Sequence, residues 1–257
     1  MEKDETLSSS SVNDKGRFFK NIKLRNRQIT HIFYITAMVY MTVLVFAGFW
    51  TSYFGQLFAG LPVRHWVIHL HAAVFTGWLA LLLVQASLVA SGNTKLHRKL
   101  GVAGGIYGFM IVLLGLIIAF LFPLQNMESG LWTLDEAASF LILPLGDILI
   151  FSGFFGAAIW YRGKSEIHKR LTLLASVMLV FPAVARIFGE TRIFALMIFW
   201  LSPVLAGIIL DRVLYKKIHP VYLLGIAVFL LSIARVLVWQ TDGWLQIGRS
   251  LLGIFIR

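Results

Sequence analysis

The sequence predicts an all-α, polytopic membrane protein, a bundle of seven transmembrane helices with a cytoplasmic N-terminus. Three observations predict it. The 257 residues are 58% hydrophobic and 14% charged, with mean hydropathy +0.81, more apolar surface than a soluble domain of this length can bury. Seven segments stay apolar over the roughly 20 residues that a helix needs to cross a bilayer. The positive residues alternate from one side of these segments to the other.

Residues 1–30 read as a flexible, Ser-rich arm that turns basic towards its end. The arm lacks the short basic start and apolar core of a secretory signal, so the first span is expected to stay as an anchor. The spans are 31–53, 65–90, 100–122, 137–161, 171–189, 193–214 and 220–240, within a transmembrane domain 31–240. Pro203 is expected to bend the sixth. Residues 241–257 are apolar but too short for an eighth span, and read as an external or interfacial tail.

Orientation follows from the connections. Lys and Arg number seven in the arm, three in 91–99, four in 162–170 and three in 212–219. The opposite side is sparse, and 123–136 carries three acids and no positive residue. This places the N-terminus inside and the C-terminus outside. The net charge of +11 is therefore membrane-border charge, and no nucleic-acid partner is expected. The chain has no Cys, which excludes disulfides, thiolate metal sites and Cys nucleophiles. No Lys falls in 220–240, so a retinal Schiff base has no place in the last span.

Gly101, Gly105 and Gly108, with Gly104 beside them, form a small-residue face in the third span. Such spacing lets helices approach closely, within the bundle or between copies of the chain. HRKLG at 97–101 and HKRLT at 168–172 each put a histidine and two cations before a span, either a duplicated helix pair or convergence on positive-inside chemistry.

Two features resemble the DUF2306-type group of uncharacterised bacterial membrane proteins: the helix HLHAAVFTGWLALLLVQASLV followed by LHRKLG, and a later helix pair joined through IHKRLTLLA. The resemblance covers roughly residues 65–190, and the family pattern falls on His71, His97, Arg98, Gly101 and His168. It implies a multi-pass protein of a bacterial cytoplasmic (inner) membrane and brings no established reaction.

The seven histidines split by topology. His31, His97, His168 and His219 lie at the cytoplasmic starts of spans, where a histidine often binds headgroups or caps a helix. His65, His69 and His71 lie at the outer end of the second span. At about 100° per residue, His65 and His69 share a face, whereas His69 and His71 point in opposite directions. His71 aligns with Trp78 and Gln85 at steps of seven. That polar stripe in an apolar helix should face the bundle, because buried polar groups need partners.

Asp147, Arg186 and Arg235 sit inside apolar runs. Ionisable residues at membrane depth pair with one another or serve a function. Their estimated depths put all three, with His69 and His71, in the outer half of the bundle. Asp147 is expected to meet Arg235 and to share a pocket with His71. Glu190, four residues after Arg186, is placed to pair with it.

Three kinds of function compete. A haem- or metal-linked membrane redox protein would use haem b, with His71, His97 or His168 as axial ligands and Arg186 or Arg235 on the propionates. A metal-dependent lipid hydrolase would hold zinc or iron with His65, His69 and Asp147, although RHWVIH lacks the Glu of a zincin helix. A transporter or sensor would take a small hydrophobic or anionic ligand, with the paired charges at mid-membrane. In each case the lipid bilayer is the partner.

Overall fold

The computed structural model describes the backbone of residues 2–61 and 65–256, and the side chains of residues 17–18, 20–61, 65–189 and 191–256. Among the described residues there is no strand. Seven helices are long and apolar enough to cross a membrane. The spans are carried by α1 (Glu2–Phe49), α2 (Trp66–Ala90), α3 (Thr94–Glu128), α4 (Leu134–Trp160), α5 (Ser165–Phe188), α6 (Ile193–Tyr215) and α7 (Pro220–Ile233), the first span running from Lys20 to Phe58 and the last continuing past α7 to Val238. The all-α seven-helix bundle read from the sequence is the fold.

Helix ends fall beyond the apolar runs, where polar residues satisfy the first free N–H groups. The Asn93 side chain accepts from Leu96 N at 3.2 Å and starts α3. Thr133 and Glu136 form a reciprocal capping box at the start of α4. His65 Nδ1 accepts from Val67 N at 3.3 Å to start α2, and His219 does the same for Val221 N at the start of α7. Helix α1 runs unbroken through residue 30, so the polar arm and the first span belong to one helix. It then tightens into a π-helical turn, Trp50–Phe54, and a last turn, Gly55–Phe58.

Five of the helices close into a ring. Successive neighbours from α1 to α5 pack on one another, and α5 packs back on α1. That closure is tight: a side chain at Gly48 of α1 would collide with the backbone of Ala183 in α5. Over half of the α5 apolar window is buried, 56% against 22–33% for the others, so α5 is the hub of the bundle. Helices α6 and α7 pack on its outer side. Side chains such as Ile106, Phe109, Leu149, Ile209 and Leu231 point outward, as lipid-facing residues do.

The tail forms an eighth helix, α8 (Asp242–Gly253), which lies against α4. Leu252 is fully buried among Ala137, Ala138 and Leu141. Trp244 Nε1 donates to the Ala138 carbonyl at 2.9 Å, and Arg249 grips Asp135 with two bonds of 2.6 and 2.8 Å.

The proposed glycine face divides. Gly108 is buried against the Phe155 ring of α4, and a Cβ at Gly104 would meet Leu81 of α2 at 3.6 Å, while Gly105 has open space beside it. Gly108 therefore serves packing inside one chain and is not available to a second copy. Gly101–Gly105–Gly108 is not one exposed surface.

Candidate functional site

A well of about 420 Å³ occupies the axis of the five-helix ring. Its walls come from the last turns of α1, the first half of α2, the second half of α3, the first half of α4 and the second half of α5. All of these lie at one end of the bundle, so the well belongs to that end. Most of the lining is apolar, including Phe75, Leu79, Ile111, Ile148 and Phe151. The other end is closed by aromatic rings. Trp78, 2% exposed, packs edge-on against Phe151 and Phe155 at 5.8 and 5.2 Å between centroids, and nearly parallel to Tyr107 at 6.4 Å.

Polar groups enter the well at two levels. Near the mouth are Arg186, Gln125, Tyr53 and His71. Arg186 is two residues from the end of α5 and His71 five from the start of α2, so at about 1.5 Å per residue they lie within the first ~10 Å. Asp147 lies about 20 Å along α4 from Leu134, at the depth of Trp78.

Asp147 and Arg235 meet as expected. Arg235 Nη2 donates to Asp147 Oδ1 at 2.7 Å. The guanidinium also donates to the carbonyls of Leu143 at 2.7 Å and Ile142 at 3.3 Å, while Nε bonds to the Ser232 carbonyl at 2.8 Å. It reaches α4 because position 146 is glycine: a Cβ at Gly146 would stand where the guanidinium lies. Arg235 begins the short helical piece Arg235–Val238 that continues α7. Asp147 lines the well and Arg235 stands behind it. The expected trio of Asp147, Arg235 and His71 is thus resolved into two lining residues and a partly buried counter-ion.

His71 faces the bundle, as its stripe requires. Its ring stacks on Phe75 at 4.1 Å, and its Nδ1 is buried without a hydrogen-bond partner. The Trp78 indole N–H is buried and unpartnered too. Further along the stripe, Gln85, with its amide turned to suit both neighbours, donates to His97 Nδ1 at 2.7 Å and accepts from Gly101 N at 3.0 Å. Arg186 Nη1 donates to the Pro182 carbonyl at 3.0 Å, and its guanidinium lies 4.5 Å from the centre of the Phe49 ring. The side chain of Glu190, its expected partner, lies outside the described residues.

The metal set His65, His69 and Asp147 is not assembled. Among the described residues no three His, Asp or Glu side chains gather as metal ligands. His65 is occupied in capping α2. His69 Nδ1 pairs with Tyr53 Oη at 2.9 Å, and Asp147 lies deeper, bound to Arg235. His65 stands before the first turn of α2 as its cap, outside the helical face that carries His69, and neither lines the well.

A bis-histidine haem does not fit these residues either. Such a haem needs two imidazoles facing one another across a gap. His71 is the sole histidine in the well lining. His97 and His168 are at the opposite end, near the starts of α3 and α5, and each ties its helix to the preceding one. His97 takes the Gln85 amide, and His168 Nδ1–H donates to the Ala158 carbonyl at 2.8 Å. The paired HRKLG and HKRLT elements share this stitching role. Of the suggested propionate partners, Arg235 is engaged by Asp147 and α4 carbonyls, which leaves Arg186.

A second buried ion pair was not anticipated. Arg170 of α5 and Asp211 of α6 are each 3% exposed and joined by Nη2–Oδ1 and Nε–Oδ2 bonds, the latter 3.2 Å. Glu166 binds the same guanidinium at 2.8 Å, His219 N donates to Asp211 at 3.1 Å, and the Tyr222 ring lies 5.4 Å from the guanidinium carbon. This network lies at the end away from the well, ties α5, α6 and α7 together, and lines no cavity described above. The signal for it was an acid in the last apolar turn of α6. Arg170 had been counted only as border charge.

No family model matches the chain, and no curated protein or solved structure matches it either.

Proposed function

We propose that the protein is a membrane carrier or sensor that takes a small, largely apolar molecule into the well. The observation that carries this reading is the well itself: a mostly apolar chamber of about 420 Å³ with a few polar groups placed at its mouth and floor. Ligand sites have this character and a volume of about 300–1,000 Å³. Two features add support. A π-helical turn, Trp50–Phe54, brings Tyr53 to the mouth, and such turns are frequent at functional sites. An ion pair at membrane depth, Asp147–Arg235, borders the floor. The basic connections favour the N-inside orientation, in which the well opens on the outer side of a cytoplasmic membrane.

The test is occupancy of the well. The Cys-free chain allows Ala72→Cys, a lining position, to be labelled by a small apolar maleimide in nanodiscs. Labelling is expected, and Gly115→Leu, whose side chain would press Ile148 further into the well, should suppress it. A neutral apolar fluorophore should bind the wild type and lose binding in the same filled variant. Unlabelled Ala72→Cys beside a fully labelled Ser129→Cys control would sink the reading.

A further inference from the structure

We infer that the molecule held in the well is a monocarboxylate amphiphile, its carboxylate at Arg186 and His71 and its chain directed towards Trp78. The inference rests on the reading of the well as a binding site and adds the class and direction of the ligand.

Charge gives the first argument. Among the described residues the lining contains one carboxylate, Asp147, and one guanidinium, Arg186. Asp147 is already matched by Arg235. Among the described residues Arg186 has no carboxylate partner, so the described lining with its ion pair holds one more positive than negative group. A single anionic group restores balance. A cationic ligand would add to the surplus, and a dianionic one would overshoot it.

Donor count gives the second. A guanidinium has five N–H donors, and the Pro182 carbonyl takes one at Nη1. The remainder have no carbonyl or carboxylate acceptor among the described residues. The side chain of Gln125, at the same level, makes no hydrogen bond to a described residue, and His71 brings an imidazole beside them. The guanidinium thus brings to the mouth donors that no described acceptor takes up. A carboxylate is an acceptor with roughly four lone-pair sites and suits the planar fork of arginine.

The walls give the direction. Below His71 the lining is mostly apolar, with Phe75, Leu79, Ile111, Ile148 and Phe151 and the single hydroxyl of Thr76. Asp147 shows the well only an edge, being 8% exposed. An alkyl or similar chain fits there and the charged head does not, since a second carboxylate beside Asp147 would be repelled and desolvated.

The experiment uses the full chain in nanodiscs and a diazirine-bearing fatty acid as photoprobe, with crosslinked peptides mapped by mass spectrometry. Dodecanoate, methyl dodecanoate and dodecylamine are the competitors. Crosslinks are expected on the α2, α3 and α4 wall segments. Dodecanoate should compete at least about tenfold better than the ester, as a hydrogen bond to a charged group implies, and the amine worst. Arg186→Gln should erase the preference of acid over ester, and Arg186→Lys should keep most of it. Thermal melting of each variant confirms that it is folded. Equal competition by acid and ester, or an unchanged preference in Arg186→Gln, overturns the carboxylate while leaving the well as a site for neutral molecules. Crosslinks confined to the lipid-facing surface for every probe would overturn the well as a site altogether.

Discussion

Arg235 reaches Asp147 across α4 through the space that the missing side chain of Gly146 leaves. The pair lies 2.7 Å apart at membrane depth, and the arginine is held by three backbone carbonyls as well. The acid is the replaceable member, because the guanidinium cannot shed its charge. Asp147→Asn leaves a buried cation without its partner and is expected to cost about 3 kcal/mol, the lower end for a broken buried pair, since both side chains keep some exposure. Replacing Asp147 and Arg235 together with leucine should restore much of that loss. Melting in detergent measures both. A double variant as unstable as the single one would show that the charges contribute something other than mutual neutralisation.

Gly146 offers an independent check that alters neither charge. Gly146→Val should displace the guanidinium and destabilise the protein by a similar amount. In an Arg235→Ala background the same substitution should do far less, because the group it displaces is gone. Additive losses would mean that Gly146 matters for the backbone of α4 rather than for Arg235.

The spans and the His71–Trp78–Gln85 stripe were legible because helical period and apolar length act locally. The Asp147–Arg235 pair was legible because a charge in an apolar run must find a partner. Three things were not. The function of Gly146 depends on a residue 89 positions away in the chain, and a glycine in a helix gives no hint of what fills its space. His65 and His69 have metal-like spacing, yet the Nδ1 of each is used, by a helix cap and by Tyr53, contacts that spacing cannot show. The well arises where five helix ends diverge, and no one segment encodes it.

The Arg170–Asp211 pair should be the more sensitive of two ion pairs in the molecule. Asp211→Asn removes the partner of a guanidinium that is 3% exposed, and about 3–5 kcal/mol is expected, softened by Glu166. Asp135→Asn breaks an equally well-formed arginine pair with Arg249, but at 46% and 54% side-chain exposure solvent screens it. Little change in melting is expected there. The reverse order would contradict the burial argument.

His219 gives the last prediction, a pH dependence. Its ring sits beside the Arg170–Asp211 network, and burial, with Arg170 adding to it, holds the imidazole below its usual range, while Asp211 and Glu166 pull the other way. The sign follows directly. In the unfolded chain the imidazole takes its proton near the ordinary value of about 6.5, before the folded one does. Acidification through and below that value therefore favours the unfolded state, and protonation at Nδ1 also removes the acceptor that caps Val221 N. Stability should be flat above roughly pH 7 and fall as the pH drops from about 6.5 towards 5. Asn caps helices well without titrating, so His219→Asn should keep the stability at neutral pH and make this part of the profile shallower, the remaining slope belonging to the other histidines. Melting curves between pH 5 and 8 would decide it, and an unchanged acid slope in His219→Asn would assign the dependence to another group.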